Sequence, residues 1–406
     1  RAEGVIDCSA EKAAAYFFHY CSRQRMLKSQ EKKDPARLVV EDNAALNEAT
    51  VATVKVMPFL LKDREYVVKM IWRSNEAGVT VAFESVDLVV DYGVSLNTVR
   101  GRTRALYRIE NLPGRGQVKQ CRCTLYQYAD IGGVIPTSLV NRKLPEALGV
   151  VQQAIDEFRQ DDKVDEADRA ELATLMREKH DDQEYSEEEL AILERAHHHF
   201  EDVDEADYEH IESPDMFVKM DKVMEDGATV GIGRAVTIVD ATAEDCAAWE
   251  LAKMTRERMR IYREGGGLER SVIKLGDHSE LFHVVYDLGI PGFQPREWLT
   301  NAVWKKQDDG SLIIAYEDAE HEDFPKQNGK YVRASALTFL KLDELPSRGG
   351  GESIARNKVA EQRRREVHIG LLYSSSAVAS ILVGPAAGTL SDRLGRQRVL
   401  TPALCV

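Results

Sequence analysis

The sequence predicts an α+β protein in which an antiparallel sheet is closed by a long helix, written twice along one chain. Three observations carry this. The stretch Asp7–Glu31 (DCSAEKAAAYFFHYCSRQRMLKSQE) returns without a gap as Asp240–Glu264 (DATAEDCAAWELAKMTRERMRIYRE), and REYVVKMIW at 64–72 returns as REWLTNAVW at 296–304. Segments ending in Leu112-Pro113 and Leu345-Pro346 complete the series in the same order. Repetition at so long a period means two copies of a domain rather than a solenoid of short repeats. Runs rich in Val, Thr, Tyr and Trp between Gly, Asn and Pro signals read as strands, and an apolar stripe stepping by three or four reads as the closing helix.

In the first copy (1–160), Ser9 is placed to cap a helix running to about Lys28, with Ala14, Phe17, Phe18, Cys21 and Arg25 at helical spacing. Strands are expected at Ala49–Met57, Arg64–Arg73, Val79–Val86, Thr98–Glu110 and Val118–Ala129. The closing helix carries Val140, Leu144, Leu148, Val151, Ile155 and Phe158, with a kink or break at Pro145. Residues 161–185 are acidic and read as a linker, partly helical and solvated. The second copy (186–346) opens with a helix capped by Ser186 and Glu189. Strands at Met216–Met224 and Thr229–Val239 follow, and Thr242 caps the repeated helix. Residues 347–366 form a polar linker. Ile369–Gly388 then runs twenty residues without a charge, the length of a membrane helix, and contains the small-residue pair Gly384 and Gly388.

The 406 residues accommodate two domains, and a hydrophobic fraction of 43% suffices for real cores. A net charge of −14 argues against nucleic-acid binding. The six cysteines include no C-x-x-C pair and read as reduced thiols. His197, His198 and His199 point about 100° apart on a helix, so they do not converge on a metal. No G-x-S-x-G, H-E-x-x-H, P-loop or dinucleotide fingerprint occurs, so no cofactor, metal or catalytic residue is expected. Arg100, Arg102, Arg104 and Arg108 alternate on one strand face, as a solvated face balanced by acids or as a headgroup stripe. The chain begins with Arg1 and reads as an excerpt of a longer product.

Alternation on the repeated strand puts Tyr66, Val68, Met70 and Trp72 on one face of the first copy, and Trp298, Thr300, Ala302 and Trp304 on that of the second. Such a face meeting an apolar helix is a packed core or the wall of a ligand cavity. The run Ala129–Arg159 (ADIGGVIPTSLVNRKLPEALGVVQQAIDEFR) resembles the C-terminal signature of the START (StAR-related lipid-transfer) domains. Arg64-Glu65-Tyr66 and His321–Leu337 are similar to that family's central-strand opening and cavity-mouth loop. The resemblance implies two incomplete helix-grip domains and a non-enzymatic protein that holds a lipid or sterol in a cavity under the C-terminal helix. The cavity is expected to be lined by Tyr66, Val68, Met70, Trp72, Val140, Leu144, Leu148, Val151, Trp298 and Trp304. The first copy lacks the initial helix and strand of the second. The second lacks the last strand and lid helix, so its edge is expected to be open or filled by a partner chain's residues 1–30 or by the hydrophobic tail. Gly388–Leu400, with Gly388, Asp392, Arg393, Gly395 and Arg396, resembles the loop motif of major facilitator transporters. It implies a membrane helix at 369–388 that attaches otherwise cytoplasmic domains to a membrane surface. The alternatives are a transporter fragment fused to START-like domains and a helix-grip enzyme of cyclase type.

Overall fold

A computed structural model describes residues 1–57, 61–133, 145, 147–178, 184–201, 204, 207–213, 215–224, 231–239, 241–326, 329–344 and 365–373. It divides into two units, Arg1–Val164 and Asp165–Val406. Each is a mixed α/β body built on one largely antiparallel sheet.

In the first unit the strands are β1 (Ala2–Ile6), β2 (Ala36–Asn43), β3 (Glu48–Lys55), β4 (Asp63–Asn75), β5 (Gly78–Ser85), β6 (Thr98–Arg100), β7 (Arg102–Arg115) and β8 (Val118–Asp130). They are ordered β1-β8-β7-β5-β4-β3-β2, with short β6 parallel to the start of β4. Helices α1 (Ala10–Phe18), α2 (Arg23–Glu31) and α3 (Val150–Phe158) belong to this unit. The Ser9 hydroxyl caps α1 by accepting from the Lys12 amide at 3.4 Å. One helix from Ser9 to Lys28 was the expectation. The chain instead turns at 19–22, where the Tyr20 amide bonds back to Phe18 O and Ser22 to His19 O, and α2 restarts at Arg23. In the closing helix Gly149 is a turn residue just before α3, and Pro145 is helical, while its neighbours 144 and 146, where the expected kink would show, lie outside the described residues. Asp7 fixes the end of α3 against β1: its carboxylate accepts from the Gln160 amide at 3.1 Å and from Gln120 Nε2 at 2.9 Å.

In the second unit α4 (Asp161–Glu178), which starts just before the boundary, is followed by α5 (Glu187–Glu201), β9 (Glu209–Ile211), β10 (Val218–Met224), β11 (Gly231–Val239), α6 (Ala243–Leu251) and α7 (Arg256–Glu264). Then come β12 (Gly267–Lys274), β13 (Ser279–Tyr286), β14 (Arg296–Lys306), β15 (Leu312–Asp318), β16 (Val332–Arg333), β17 (Ala336–Glu344) and β18 (Arg365–Tyr373). The sheet order is β12-β13-β14-β15-β17-β18-β11-β10-β9, with β16 parallel to β14. This repeats the first unit's order, β12 standing where β2 stands, β14 where β4 stands and β11 where β1 stands, and adds β10 and β9 at the far edge. The expected capping box is present, Ser186 N donating to Glu189 Oε2 at 2.8 Å and Glu189 N to Ser186 Oγ at 3.2 Å. The acidic segment is a helix with buried Val164, Ala173 and Met176, and Met176 joins the second unit's core.

Two expectations are corrected. The second unit does have a last strand: β18 pairs antiparallel with both β17 and β11, as β8 pairs with β7 and β1. It runs from Arg365 into the start of the uncharged tail, so Ile369–Tyr373 is strand, not the first turn of a membrane helix. The pairing accounts for this, because without β18 the ladders of β17 and β11 would both be left as open edges. Residues 374–406, including Gly388, Asp392, Arg393, Gly395 and Arg396, lie outside the described residues, as do Val140 and Leu144. No helix among the described residues is long and apolar enough to cross a membrane.

Candidate functional site

On β4, Val68 and Met70, at 5% and 0% exposure, enter the first unit's main apolar cluster with Ile6, Phe17, Val81, Tyr107, Leu125 and Val151, and Val67 on the other face is buried as well. Trp72, Leu148 and Phe158 pack at its margin, partly exposed. The ring of Phe17 stacks on Tyr107 at 4.4 Å, and Tyr107 lies 5.2 Å from Phe83. Tyr66 stands apart from this set: Gly101 sits so close over its ring that a Cβ would fall 2.4 Å from Cε1, and burial raises its phenol pKa. The site predicted on this face is therefore an apolar interior between β4, β5 and β7 on one side and α1 and α3 on the other.

The opposite face of these strands carries charge, although Val67 is buried there. Arg100, Arg102, Arg104 and Arg108 pair there with Glu65, Asp87, Glu84 and Glu110, so the stripe is balanced by acids. An open groove of about 760 Å³ runs over this outer face between Lys69, Ile71, Leu106, Tyr126 and Tyr128.

In the second unit the predicted residues separate. Trp304 joins α6 and Met176 in one cluster, while Trp298 packs with Tyr262 and Val284 in another. Between them the inner face is ionic. Lys253, 3% exposed, donates from Nζ to Glu250 Oε1 at 2.7 Å and to Tyr316 Oη at 2.7 Å. Tyr316 Oη donates to the same Glu250 oxygen at 3.0 Å, and Arg258 Nη2 lies 3.4 Å from Glu250 Oε2. The ammonium also lies 4.6 Å from the Phe282 ring centre and 4.4 Å from that of Tyr316. Burial brings the Lys253 amine down to about 8 despite Glu250. Against the upward push of burial, Lys253 and Arg258 hold Glu250 down to about 2. Burial raises Glu280, whose Oε1 has no hydrogen-bond partner among the described residues. Arg270 Nε, Arg258 Nη1 and Trp298 Nε1 are likewise without one.

These groups were not singled out in the sequence, yet the repeat marks them. Alignment of the duplicated helix sets Glu250 where Phe17 stands and Lys253 where Tyr20 stands. The strand register pairs Glu280 with Ala302 and Tyr316 with Ala302, where Met70 faces Ala49 and Phe83 in the first unit. A charged side chain at the place of an aromatic in the sister copy was the available signal.

A second polar cavity of about 470 Å³ opens beside α7 and β12, lined among others by Tyr262, Arg270, His283, Glu297 and Phe324. His283 Nε2 lies 3.0 Å from Glu297 Oε1, and Arg333 Nε donates to Glu297 Oε2 at 3.0 Å. The Glu297–Arg333 pair matches Glu65–Arg100 in the first unit, so it belongs to the shared frame; His283 is particular to the second.

No family model matches the chain, and no curated protein matches it. Solved structures similar to it include the human StarD13 (DLC2) lipid transfer and protein localization domain, at 15% identity and TM-score 0.34, covering 52% of this chain and 99% of that one. Human StAR-related lipid transfer protein 5 is 13% identical at TM-score 0.38, covering 51% and 94%. The di-domain ARO/CYC BexL from the BE-7585A biosynthetic pathway is 9% identical at TM-score 0.23, covering 97% and 92%. The structural neighbours thus include both lipid-transfer domains and cyclase-type proteins.

Proposed function

We propose that the chain is a lipid-binding protein of tandem helix-grip units, without catalytic activity, in which each unit holds a single lipid or sterol, in the first between sheet and closing helix. The observation that carries this reading is the first unit's inner face. Val68, Met70, Phe17, Tyr107 and Val151 present only apolar surface or aromatic ring there, while Trp72, Phe83 and Phe158 at the margin keep partial solvent access. Affinity would come from burying an apolar ligand, at about 0.8 kcal/mol per methylene. Collecting such a ligand brings the chain to a membrane surface, with the domains on the cytoplasmic side; the net charge of −14 speaks against nucleic acid as a partner.

A second reading, an enzyme of cyclase type, is favoured by Lys253, Glu250, Tyr316 and Glu280 in the second unit, which place acid and base groups within an interior. The two are separated by extracting the purified full chain and identifying bound small molecules by mass spectrometry. The lipid reading expects one lipid or sterol class at a fixed ratio to protein. It also expects Val151→Trp, which adds bulk where α3 meets the sheet, to lower that ratio. A chain free of bound apolar molecules, with Val151→Trp changing only the melting temperature, would remove it.

A further inference from the structure

Each unit carries two arginines in the same place. Arg25 of α2 lies over the Tyr16 ring at 4.7 Å, and Arg37 of β2 over Tyr20 at 3.7 Å, its Nε donating to Tyr20 O at 2.7 Å. In the second unit Arg258 lies over Trp249 at 3.9 Å. Arg270 of β12 lies 5.0 Å from the Tyr262 ring centre and reaches Arg258 O from Nη1 at 3.4 Å. The repeat aligns Arg25 with Arg258 and Tyr16 with Trp249, and the matching strand order aligns Arg37 with Arg270.

Both pairs are short of counter-charge. No ion pair to a carboxylate is formed by Arg25, Arg37 or Arg270 among the described residues, and Arg258 has only Glu250 at 3.4 Å. Arg25 Nη2, Arg258 Nη1 and Arg270 Nε are buried donors without acceptors. Burial, and then the neighbouring arginine, lowers Arg270 to about 10; burial lowers Arg25, which faces Tyr16, Tyr107, Tyr20 and Arg37 and no carboxylate. Arg102, Arg104, Arg195 and Arg333, by contrast, pair with acids. In the first unit two guanidiniums stand on aromatic rings with a spare N–H group and no paired carboxylate, and in the second the two share Glu250 alone; both leave room for the acceptor that a planar fork of donors fits best, a carboxylate or phosphate.

We propose that Arg25–Arg37 and Arg258–Arg270 are twin anion sites, one per unit, that seat the carboxylate or phosphate headgroup of an amphiphile. The proposal rests on the lipid-binding reading for the ligand's tail, and on the arginines alone for its head. In the first unit Tyr107 links the two, facing Arg25 on one side and stacking on Phe17 within the apolar interior on the other.

The test is calorimetric titration of the full chain with dodecyl phosphate, dodecanoate, dodecanol and inorganic phosphate. The expected result is two equivalents of dodecyl phosphate or dodecanoate and at least about tenfold weaker binding of dodecanol, from the loss of charge-assisted hydrogen bonds. Arg25→Met with Arg37→Met should remove one equivalent, and Arg258→Met with Arg270→Met the other. The first change should not lower the melting temperature of the ligand-free chain, since it removes buried charge that pairs with no carboxylate; the second also takes Arg258 from Glu250, so there the stability comparison is made on Arg270→Met alone, and a structural role would lower the melting temperature in both. Should a double variant melt early, the single variants Arg37→Met and Arg270→Met carry the same comparison. Dodecanol binding as tightly as dodecyl phosphate would overturn the anion sites and leave the lipid reading standing. Arginine-dependent binding of inorganic phosphate as tight as that of dodecyl phosphate would support the sites and overturn the lipid reading. Absence of binding by all four probes would overturn both.

Discussion

The amine of Lys253 offers a direct measurement of how the second unit's interior treats charge. Its pKa falls from the ordinary 10.5 to about 8, chiefly through burial. That fall corresponds to about 3 kcal/mol of preference for the neutral amine in the folded chain, at about 1.4 kcal/mol for each pH unit. Unfolded, the amine titrates at its ordinary value. Between pH 8 and 10.5 the unfolded state holds a proton that the folded state has released, so this group makes the fold more stable as pH rises through that window. Lys253→Met removes the contribution. Glu250 stays ionised throughout, because Arg258 remains beside it, so the difference between the two proteins isolates the amine. Urea unfolding followed by tryptophan fluorescence is the assay, since Trp249, Trp298 and Trp304 all lie in the second unit. Plotted against pH from 7.5 to 10.5, the stability of wild type minus variant should climb by about 3 kcal/mol in total. A flat difference would show that Lys253 titrates as a solvated lysine, and that the interior is wet enough to neutralise the argument from burial.

Three further outcomes follow from named contacts. Met70→Arg sets an unpaired guanidinium at a position of 0% exposure and should cost about 3 kcal/mol or more, read as loss or early melting of the first unit's transition; a wild-type melt would mean that water reaches this face. Arg64→Met releases the carbonyls of Lys62, Ile131 and Gly132, which Arg64 now binds, and should cost about 2–4 kcal/mol and speed amide exchange around residues 130–133. Gly370→Pro breaks the ladder of β18, so the chain should bind ANS dye and self-associate through the freed edges of β17 and β11; a dye-negative monomer would count against β18 as the closing strand.

The sheet was legible wherever strands are β-branched and alternate, as in β3, β4, β5 and β8. It was illegible where strands are short or lack that signature. β1 is five residues with a glycine, and β2 mixes Leu and Val with Arg, Glu and Asp. β18 was hidden because the uncharged run it enters at Ile369 matched a membrane helix by length, and only the unpaired edges of β17 and β11 decide its conformation. The apolar stripe of the first helix continues across residues 19–22, so its periodicity gave no sign of the break between α1 and α2. Of the site, Val68, Met70 and Val151 follow from alternation and helical spacing and do meet in one cluster. Glu250, Lys253, Glu280 and Tyr316 come from α6, the turn after it, β13 and β15, and nothing short of the fold joins them.

The comparison of the two units separates what holds the sheet from what fills it. The carboxylate–arginine pair at the start of the central strand occurs in both, as Glu65–Arg100 and Glu297–Arg333, and so does an arginine stacked on the helix aromatic, as Arg25 on Tyr16 and Arg258 on Trp249. These contacts recur in both units together with the strand order. The interior positions do not recur: Phe17, Tyr20, Ala49 and Phe83 stand against Glu250, Lys253, Glu280 and Tyr316. Replacing a packed aromatic by a buried ion costs stability unless the ion is paired, and the pairing here leaves Glu280 Oε1 and Arg258 Nη1 without partners. A purely structural core would gain by restoring the apolar set. On the proposed reading, a ligand whose polar groups complete the ionic interior would offset that cost, with the headgroup site common to both units and the interior around it different.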